Sequence, residues 1–416
     1  MRTISASQKL KLTAAGDIPV DWQCISLSQV AKITSGGTPS KENSAFWGGD
    51  IPWISAKDLK RLHVSDSIER LTTSGAKHCK LVPPGTILIL VRGMTLLREV
   101  PIAIASVPLA FNQDTKALQL SSTADPVFVA YQLLKGQPRL LASVDRAGHG
   151  TGRLPTELLE TFPLALPPLD EQRAIAEILN EWEIAISRTE SLVSEKIHQR
   201  RGLMQLLLTG KQRFSGFGDR PWRKLAIGEL VRSEDRYAPF NDDKLYRLAS
   251  IRRRSGGLFA REALYGREIK TKVLKEIREG DFIISRMQVV HGALGVVPSD
   301  FDRFYVSDSY EVLVLRDPAS LDMGFFNYLS QTPAFYRLAL VSSHGVHIEK
   351  MTFGLDDFLN EKVLVPPTIE EQRHISALLK ESDDEISLLE KRSDALKEQK
   401  SGLMNRLLSG KIRLKR

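Results

Sequence analysis

Apolar residues along this chain alternate between two spacings. Short unbroken runs, Ile87-Leu88-Ile89-Leu90-Val91 and Phe282-Ile283-Ile284, each follow shortly after a glycine (Gly85, Gly280) and predict buried strands. Ala117-Leu118-Gln119-Leu120 and Glu311-Val312-Leu313-Val314-Leu315 come next in the same order, followed by short helical patterns at 126–134 and 323–329. The spacing then changes to threes and fours. One seam reads Ile175, Leu179, Trp182, Ile186, Thr189, Val193, Leu203 and Leu207; a second reads Ile375, Leu379, Ile386, Leu389, Leu396, Leu403 and Leu407. Sustained over about forty residues, such seams predict long helices packed as a coiled coil.

The boundaries of these helices are written twice, at positions about 200 residues apart. Pro167-Pro168 and Pro366-Pro367 form stiff joints that cannot continue a strand ladder and stand where a helix starts. Glu171-Gln172-Arg173 and Glu371-Gln372-Arg373 open the seams, and Gly202-Leu203-Met204 and Gly402-Leu403-Met404 stand near their ends. Asp170 and Glu171 put negative charge at one helix start, and Thr368 with Glu371 has capping-box spacing at the other. Leu207-Leu208-Thr209-Gly210-Lys211 and Leu407-Leu408-Ser409-Gly410-Lys411 close them, with glycine where a C-terminal cap belongs. Polar residues interrupt both seams: Lys196 and Arg200 in the first, Ser382, Ser393 and Lys400 in the second. They either face solvent on flexible stems or fix the register of the pair.

The whole chain therefore reads as a tandem duplication with a pseudo-two-fold axis. Its expected class is α+β: two globular domains joined by two long antiparallel helices, since a parallel pair would place both domains at one end. The segments are 1–165 and 213–364 for the domains, 166–212 and 365–416 for the helical regions. Each half opens on a tryptophan in register, Trp22 and Trp222. At 416 residues, 42% hydrophobic and 26% charged, the chain has ample core for two domains and nothing suggesting disorder. Two cysteines, Cys24 and Cys79, are too few for a disulfide framework or a thiolate zinc site, which fits a reducing cytoplasm. No signal peptide or membrane span is expected.

Catalytic patterns fail one by one. Gly210-Lys211 lacks the upstream glycine and following hydroxyl of a phosphate loop, and Gly148-His149-Gly150-Thr151-Gly152 has the wrong spacing for a dinucleotide cradle. Leu166-Pro167-Pro168-Leu169 and Val365-Pro366-Pro367-Thr368 lack both the polar and the aromatic residue of an adenine methyltransferase motif. The eight histidines have no metal-ligand spacing. What remains is binding. The net charge of +8 favours a polyanion without proving one. Basic and amide residues near turns are Lys41, Lys57, Lys60, Arg61, Arg92, Asn112, Gln113, Arg146 and His149 in the first domain. In the second they are Arg252, Arg253, Arg254, Arg286, Gln288, His291, His344, His347 and Lys350. Such side chains neutralise phosphates or pair with base edges; each alone can equally be solvated surface.

Two divergent domains, each followed by a long helix opening on Pro-Pro and Glu-Gln-Arg and closing on Leu-Leu-Thr/Ser-Gly-Lys, resemble the specificity subunit of type I restriction-modification enzymes. Ser35-Gly36-Gly37-Thr38-Pro39-Ser40, continuing through Phe46-Trp47-Gly48-Gly49-Asp50-Ile51-Pro52-Trp53-Ile54-Ser55-Ala56-Lys57-Asp58-Leu59, is similar to the start of that family's target recognition domains. The resemblance implies a non-catalytic DNA-recognition subunit that reads a bipartite, asymmetric target in double-stranded DNA. It adds Thr38 and Ser40 to the candidate DNA contacts. The helices, with Gln172, Gln372 and the seam residues, would pack together and dock two methyltransferase subunits and, through them, motor-nuclease restriction subunits. S-adenosylmethionine, ATP and magnesium would belong to those partners, with no cofactor in this chain. The second domain departs from the motif: Asp235-Arg236-Tyr237-Ala238-Pro239-Phe240 follows Trp222, and Arg252-Arg253-Arg254 has no counterpart in the first. Helices of ~60 Å can carry two domains over half-sites ~34 Å apart. A coiled-coil scaffold without DNA specificity is the alternative; it explains the helices and leaves the divergent basic domains unexplained.

Overall fold

A computed structural model of the chain describes residues 3–5, 9–147, 150–218, 220–345, 347 and 351–415. The two long helices span Leu169–Leu207 and Ile369–Leu407, 39 residues each. Among the described residues no helix is long and apolar enough to cross a membrane. The chain divides into two compact units, Met1–Glu190 with Lys391–Arg416, and Ser191–Glu390. Each boundary falls inside a long helix, so the compact units do not coincide with the four linear segments suggested by the sequence.

The first unit is built on a five-stranded sheet in the order Ala31–Ser35, Thr115–Leu120, Ile87–Leu90, Ile102–Ala105, His63–Val64. All four residues of Ile87–Leu90 are fully buried, as an unalternating apolar run requires of a strand covered on both faces. A second sheet runs Glu69–Leu71, Trp47–Ile54, Leu109–Phe111, Leu81–Val82. Helix Pro126–Lys135, capped by Asp125 accepting from the Phe128 amide at 2.9 Å, buries Phe128 and Tyr131 in the same core.

The second unit repeats the central order: Val231–Ser233, Tyr310–Leu315, Phe282–Ser285, Leu294–Val296. Its helix Met323–Ser330 is capped in the same way by Asp322. Gly85 and Gly280, each just before its central strand, both adopt φ of +83°, a conformation in which a β-carbon is strained.

Each long helix is locked to the domain it follows by its first turn, through a buried glutamine. Gln172 accepts from the Asp125 amide at 2.9 Å and donates to the carbonyls of Thr123 and Pro167. Gln372 repeats this with the Asp322 amide at 2.8 Å and the carbonyls of Ser320 and Pro366. These two glutamines were expected among the helix-pairing and docking residues. Burial inside the domain instead makes them clamps, because a buried amide must spend all its hydrogen-bonding capacity locally.

The end of each helix packs on the other domain in chain order. Leu407, Leu408 and Ile412 lie in the core of the first unit, and Leu207 and Leu208 in that of the second. Gly410 turns at φ +66° against Pro19 and Trp22; Gly210 turns at φ +68° against Trp222. Arg413 then forms paired hydrogen bonds to Glu171 at 2.6 and 2.7 Å and to Asp21 at 3.0 and 2.8 Å. Arg213 does the same to Glu371, both bonds at 2.8 Å, with the Trp222 indole also donating at 3.2 Å. Glu171 and Glu371 are buried carboxylates, which are tolerated only when a matched guanidinium fork satisfies them.

The helices run antiparallel within each unit. In the first, Glu183 pairs with Lys400 and Glu190 with Lys397; in the second, Lys196 pairs with Glu385 and Arg200 with Asp383. Glu183–Lys400 and Asp383–Arg200 occupy repeat-equivalent positions. Of the two readings of the polar interruptions, register fixing is the one these pairs favour for Lys196, Arg200 and Lys400. Ser393 differs, being buried with no hydrogen-bond partner.

Candidate nucleic-acid interface and helical docking surface

In the first domain, the glycine-rich segment and the tryptophans that follow it form one structure. Gly36 lies so close to Phe111 and Asn112 that a β-carbon would come within 2.1 Å of a carbonyl oxygen. The Gly37 carbonyl accepts from the Trp53 indole at 2.9 Å and from Cys79 Sγ at 3.2 Å. Thr38, brought to the surface by this turn, donates to Gln113 Oε1 at 2.5 Å. The Ser40 carbonyl accepts from the Trp47 indole at 3.0 Å, and Lys41 is ion-paired with Glu69 and stands over the rings of Trp47 and Trp53 at 4.3 and 5.1 Å. Thr38, Ser40, Lys41 and Gln113 thus share one exposed patch. Lys57 is exposed on a turn held by Asp58, which accepts from the Ser55 amide and hydroxyl.

Other candidates lie elsewhere. Arg92 is on a small sheet of Arg92–Gly93, Thr151–Arg153 and Asp145–Ala147 that also carries Arg146. Arg153, opposite Arg92 in register, joins this patch and was not singled out from sequence, although its place after a glycine turn was a signal. Asn112 is buried and engaged with Thr115 and Asp114, so it shapes the turn and is not displayed for contact. Lys60 and Arg61 line a groove of about 640 Å³ along the helices, near His63, whose ring nitrogen lies 3.0 Å from Asn180. His149 lies outside the described residues.

In the second domain two separate sequence clusters converge. The hairpin Ala249–Ile251 to Leu258–Ala260 carries Arg252, Arg253 and Arg254 at its turn. It docks on the turn at 288–292: the Arg254 amide donates to the His291 carbonyl at 2.7 Å, the Ser255 amide to Gly292 at 2.8 Å, and the Ser255 hydroxyl meets Tyr336 at 2.6 Å. Arg254 and Ser255 are held at φ of 58° and 51°, strained for residues with a β-carbon. Arg253 Nε donates to Gln288 Oε1 at 2.7 Å. Arg252 folds back on its own hairpin, donating to Leu258 and stacking on Phe259 at 4.7 Å. Arg286 Nε lies 2.9 Å from Glu311. His344 meets Asp357 at 2.8 Å, His347 is exposed, and Lys350 lies outside the described residues.

Beneath this surface, buried Lys275 lies 2.8 Å from Asp235 and 3.6 Å from Glu311. Burial alone would release its proton; the two carboxylates outweigh that and hold it more firmly than in a free lysine. Arg236, from the segment that replaces the glycine-rich motif, is a structural residue forked onto buried Asp281 at 2.6 Å through both terminal nitrogens.

Along the helices, Ile175, Leu179, Leu203 and Leu207, with Ile375, Leu379, Leu403 and Leu407, pack into or against the domain cores. Ile186 and Ile386 are buried, while Trp182, Val193, Leu389 and Leu396 are half-buried. The exposed apolar positions are different ones: Leu388 at 68%, Ile184 at 43%, and Leu192 and Leu206 at 39% each. They stand off the seam, which is why the seam reading passed over them.

These features define a duplicated class of protein: two α+β domains, each clamped by two helical segments, with unlike polar surfaces. Residues 19–196 match the family model described as the type I restriction modification DNA specificity domain. The chain is 32% identical to the EcoR124I/EcoR124II specificity subunit of Escherichia coli over 180 residues, 42% of this chain and 44% of that one. The MjaVIII specificity subunit of Methanocaldococcus jannaschii is 24% identical over 425 residues, covering 96% and 94%. In the matches to the EcoR124I/EcoR124II and MjaIX subunits the chain spans less than half of either relative, 44% of each. The fold is that of the type I restriction-modification S subunit from M. genitalium, with a TM-score of 0.59, 15% identity and coverage of 96% and 98%. The chain thus resembles type I specificity subunits, by family model in its first half and by fold throughout.

Proposed function

We propose that this chain is the DNA-recognition subunit of a type I restriction-modification enzyme. Each globular domain reads one half of a split, asymmetric target in double-stranded DNA. The observation that carries this reading is a constant frame bearing divergent polar surfaces: the clamps and one helix ion pair recur 200 residues apart, while Thr38–Gln113 and Lys41 in one domain give way to Arg253, Gln288 and Arg286 in the other. A scaffold would have no use for that divergence. Contact with the two methyltransferase subunits is assigned to exposed apolar helix residues of each unit taken separately, Ile184 in the first and Leu192 and Leu388 in the second; those subunits would in turn hold the restriction subunits. S-adenosylmethionine, ATP and magnesium are assigned to those partners, the chain itself to a non-catalytic role in the cytoplasm.

The test is to express the chain with its modification subunit and map methylated adenines across the genome, with and without the chain. A split motif that appears only with the chain supports the reading. No chain-dependent motif, with a stable complex formed, points to the scaffold.

A further inference from the structure

We infer that Arg286 is the guanine-reading side chain of the second domain and that Glu311 is the buried residue that positions it; this rests on the function proposed above. An alternating chain of charges runs outward from the interior: Asp235, Lys275, Glu311, Arg286. Lys275 and Glu311 are 3% and 6% exposed at the side chain, and Arg286 is 42% exposed. Burying a lysine and a glutamate costs more than an apolar pair of the same volume, so a purely structural purpose is weakly served.

The first domain shows that the fold does without this device. In the central sheets Ile284 stands opposite Glu311 and Ile89 opposite Lys116, the same place in each domain. Lys116 carries the opposite charge and makes a single hydrogen bond to Ser35 at 2.6 Å. The carboxylate is therefore tied to what is distinctive of the second domain. Its surface partner is Arg286, at the end of the central strand Phe282–Ser285.

The chemistry displayed there is rich in donors. Glu311 is ion-paired with the Nε side of Arg286, with no aligned hydrogen bond at Nε, and among the described residues the terminal nitrogens make no hydrogen bond. Gln288, two residues on, accepts from Arg253 at 2.7 Å through its carbonyl oxygen, which leaves its amide NH2 as a donor. With one lone pair of its oxygen taken, this glutamine is less suited to the paired acceptor and donor contact that adenine requires. Two adjacent donors fit the N7 and O6 acceptors of guanine in the major groove. The docked hairpin and its strained turn hold the surface rigid, as base reading demands and phosphate neutralisation does not.

The test uses the full chain assembled with its modification subunit. The wild-type motif is first mapped from methylated adenines, and binding is then measured on a duplex of that motif and on a set changed at each base pair in turn. The second half-site is expected to contain a G·C pair at which Arg286→Ala and Arg286→Lys lose discrimination by roughly fivefold to a hundredfold, with the first half-site unchanged. Glu311→Gln is expected to relax discrimination at that same base pair, a readout that simple loss of stability would not confine to one position. Melting curves of each variant separate unfolding from misreading, and Arg286→Lys keeps the charge should the alanine variant not fold. Unchanged discrimination overturns the inference. So does uniform weakening on every duplex with a shallower salt dependence, which marks a phosphate contact. A wild-type chain that gives no split motif sinks the functional reading itself.

Discussion

Replacing Leu408 with alanine, at a position that follows the second domain and its helix, is expected to destabilise the first domain. Leu408 is fully buried in the first unit's core, and its carbonyl accepts from Gln132 at 3.3 Å. A buried leucine cut to alanine loses about 3 kcal/mol, the lower middle of the range for such cavities. Core amides that exchange only through unfolding should then exchange roughly a hundredfold faster, and melting of a unit of this size should fall by about 6–12 °C. Hydrogen exchange read by mass spectrometry resolves where this happens. Peptides over Ile87–Leu90 and Thr115–Leu120 should lose protection in Leu408→Ala, while those over Phe282–Ser285 and Tyr310–Leu315 should not. Leu208→Ala, in the second unit's core, should give the reverse. Loss of protection in the domain that immediately precedes each leucine in sequence, with the other domain intact, would refute the exchanged clamps.

Further outcomes follow from the same contacts. Arg413→Met leaves buried Glu171 without its counter-charge and should cost the first unit about 3 kcal/mol, measured by denaturant unfolding. Arg413 hydrogen bonds hold the Asp21 carboxyl below its ordinary range, against a smaller opposing effect of burial. Its stabilisation is therefore complete above the unfolded carboxylate value near pH 4 and is lost as pH falls through the lower folded value. Asp21→Asn should flatten that acid limb of the stability profile; an unchanged limb would remove Asp21 from the account. Lys400→Glu should weaken the first unit by about 1 kcal/mol and Glu183→Lys should restore it, as a double-mutant cycle will show. Leu388→Glu, on an exposed face, should leave melting within about 0.5 kcal/mol yet lower co-purification with the modification subunit. Full co-purification would move the docking surface elsewhere.

What the sequence disclosed was local. The runs at 87–91 and 282–284 had to be covered on both faces, and the helix limits at Pro168 and Gly210 follow from backbone chemistry alone. The antiparallel order came from symmetry and agrees with the ion pairs. What stayed hidden depends on distant partners. Arg413 and Glu171 are 242 residues apart, and no spacing rule joins them. Gln172 looks from sequence like any polar residue on a first helical turn, yet its partners are loop backbone groups at Thr123 and Asp125. Asn112, an amide side chain near a turn, is consumed by that turn; Lys60 and Arg61, basic side chains near a turn like Lys41, lie along the helices. Glu311 opens an apolar strand where a charged residue is expensive, and that placement signals a buried partner.

The most direct test of the account is the methylated-adenine motif made by a chimera in which the second domain, 213–364, is replaced by a copy of the first with the clamps kept in register. The account predicts a motif whose two halves become inverted copies of the half read by the first domain, with modification subunits bound as before. A motif that keeps the original second half would contradict it.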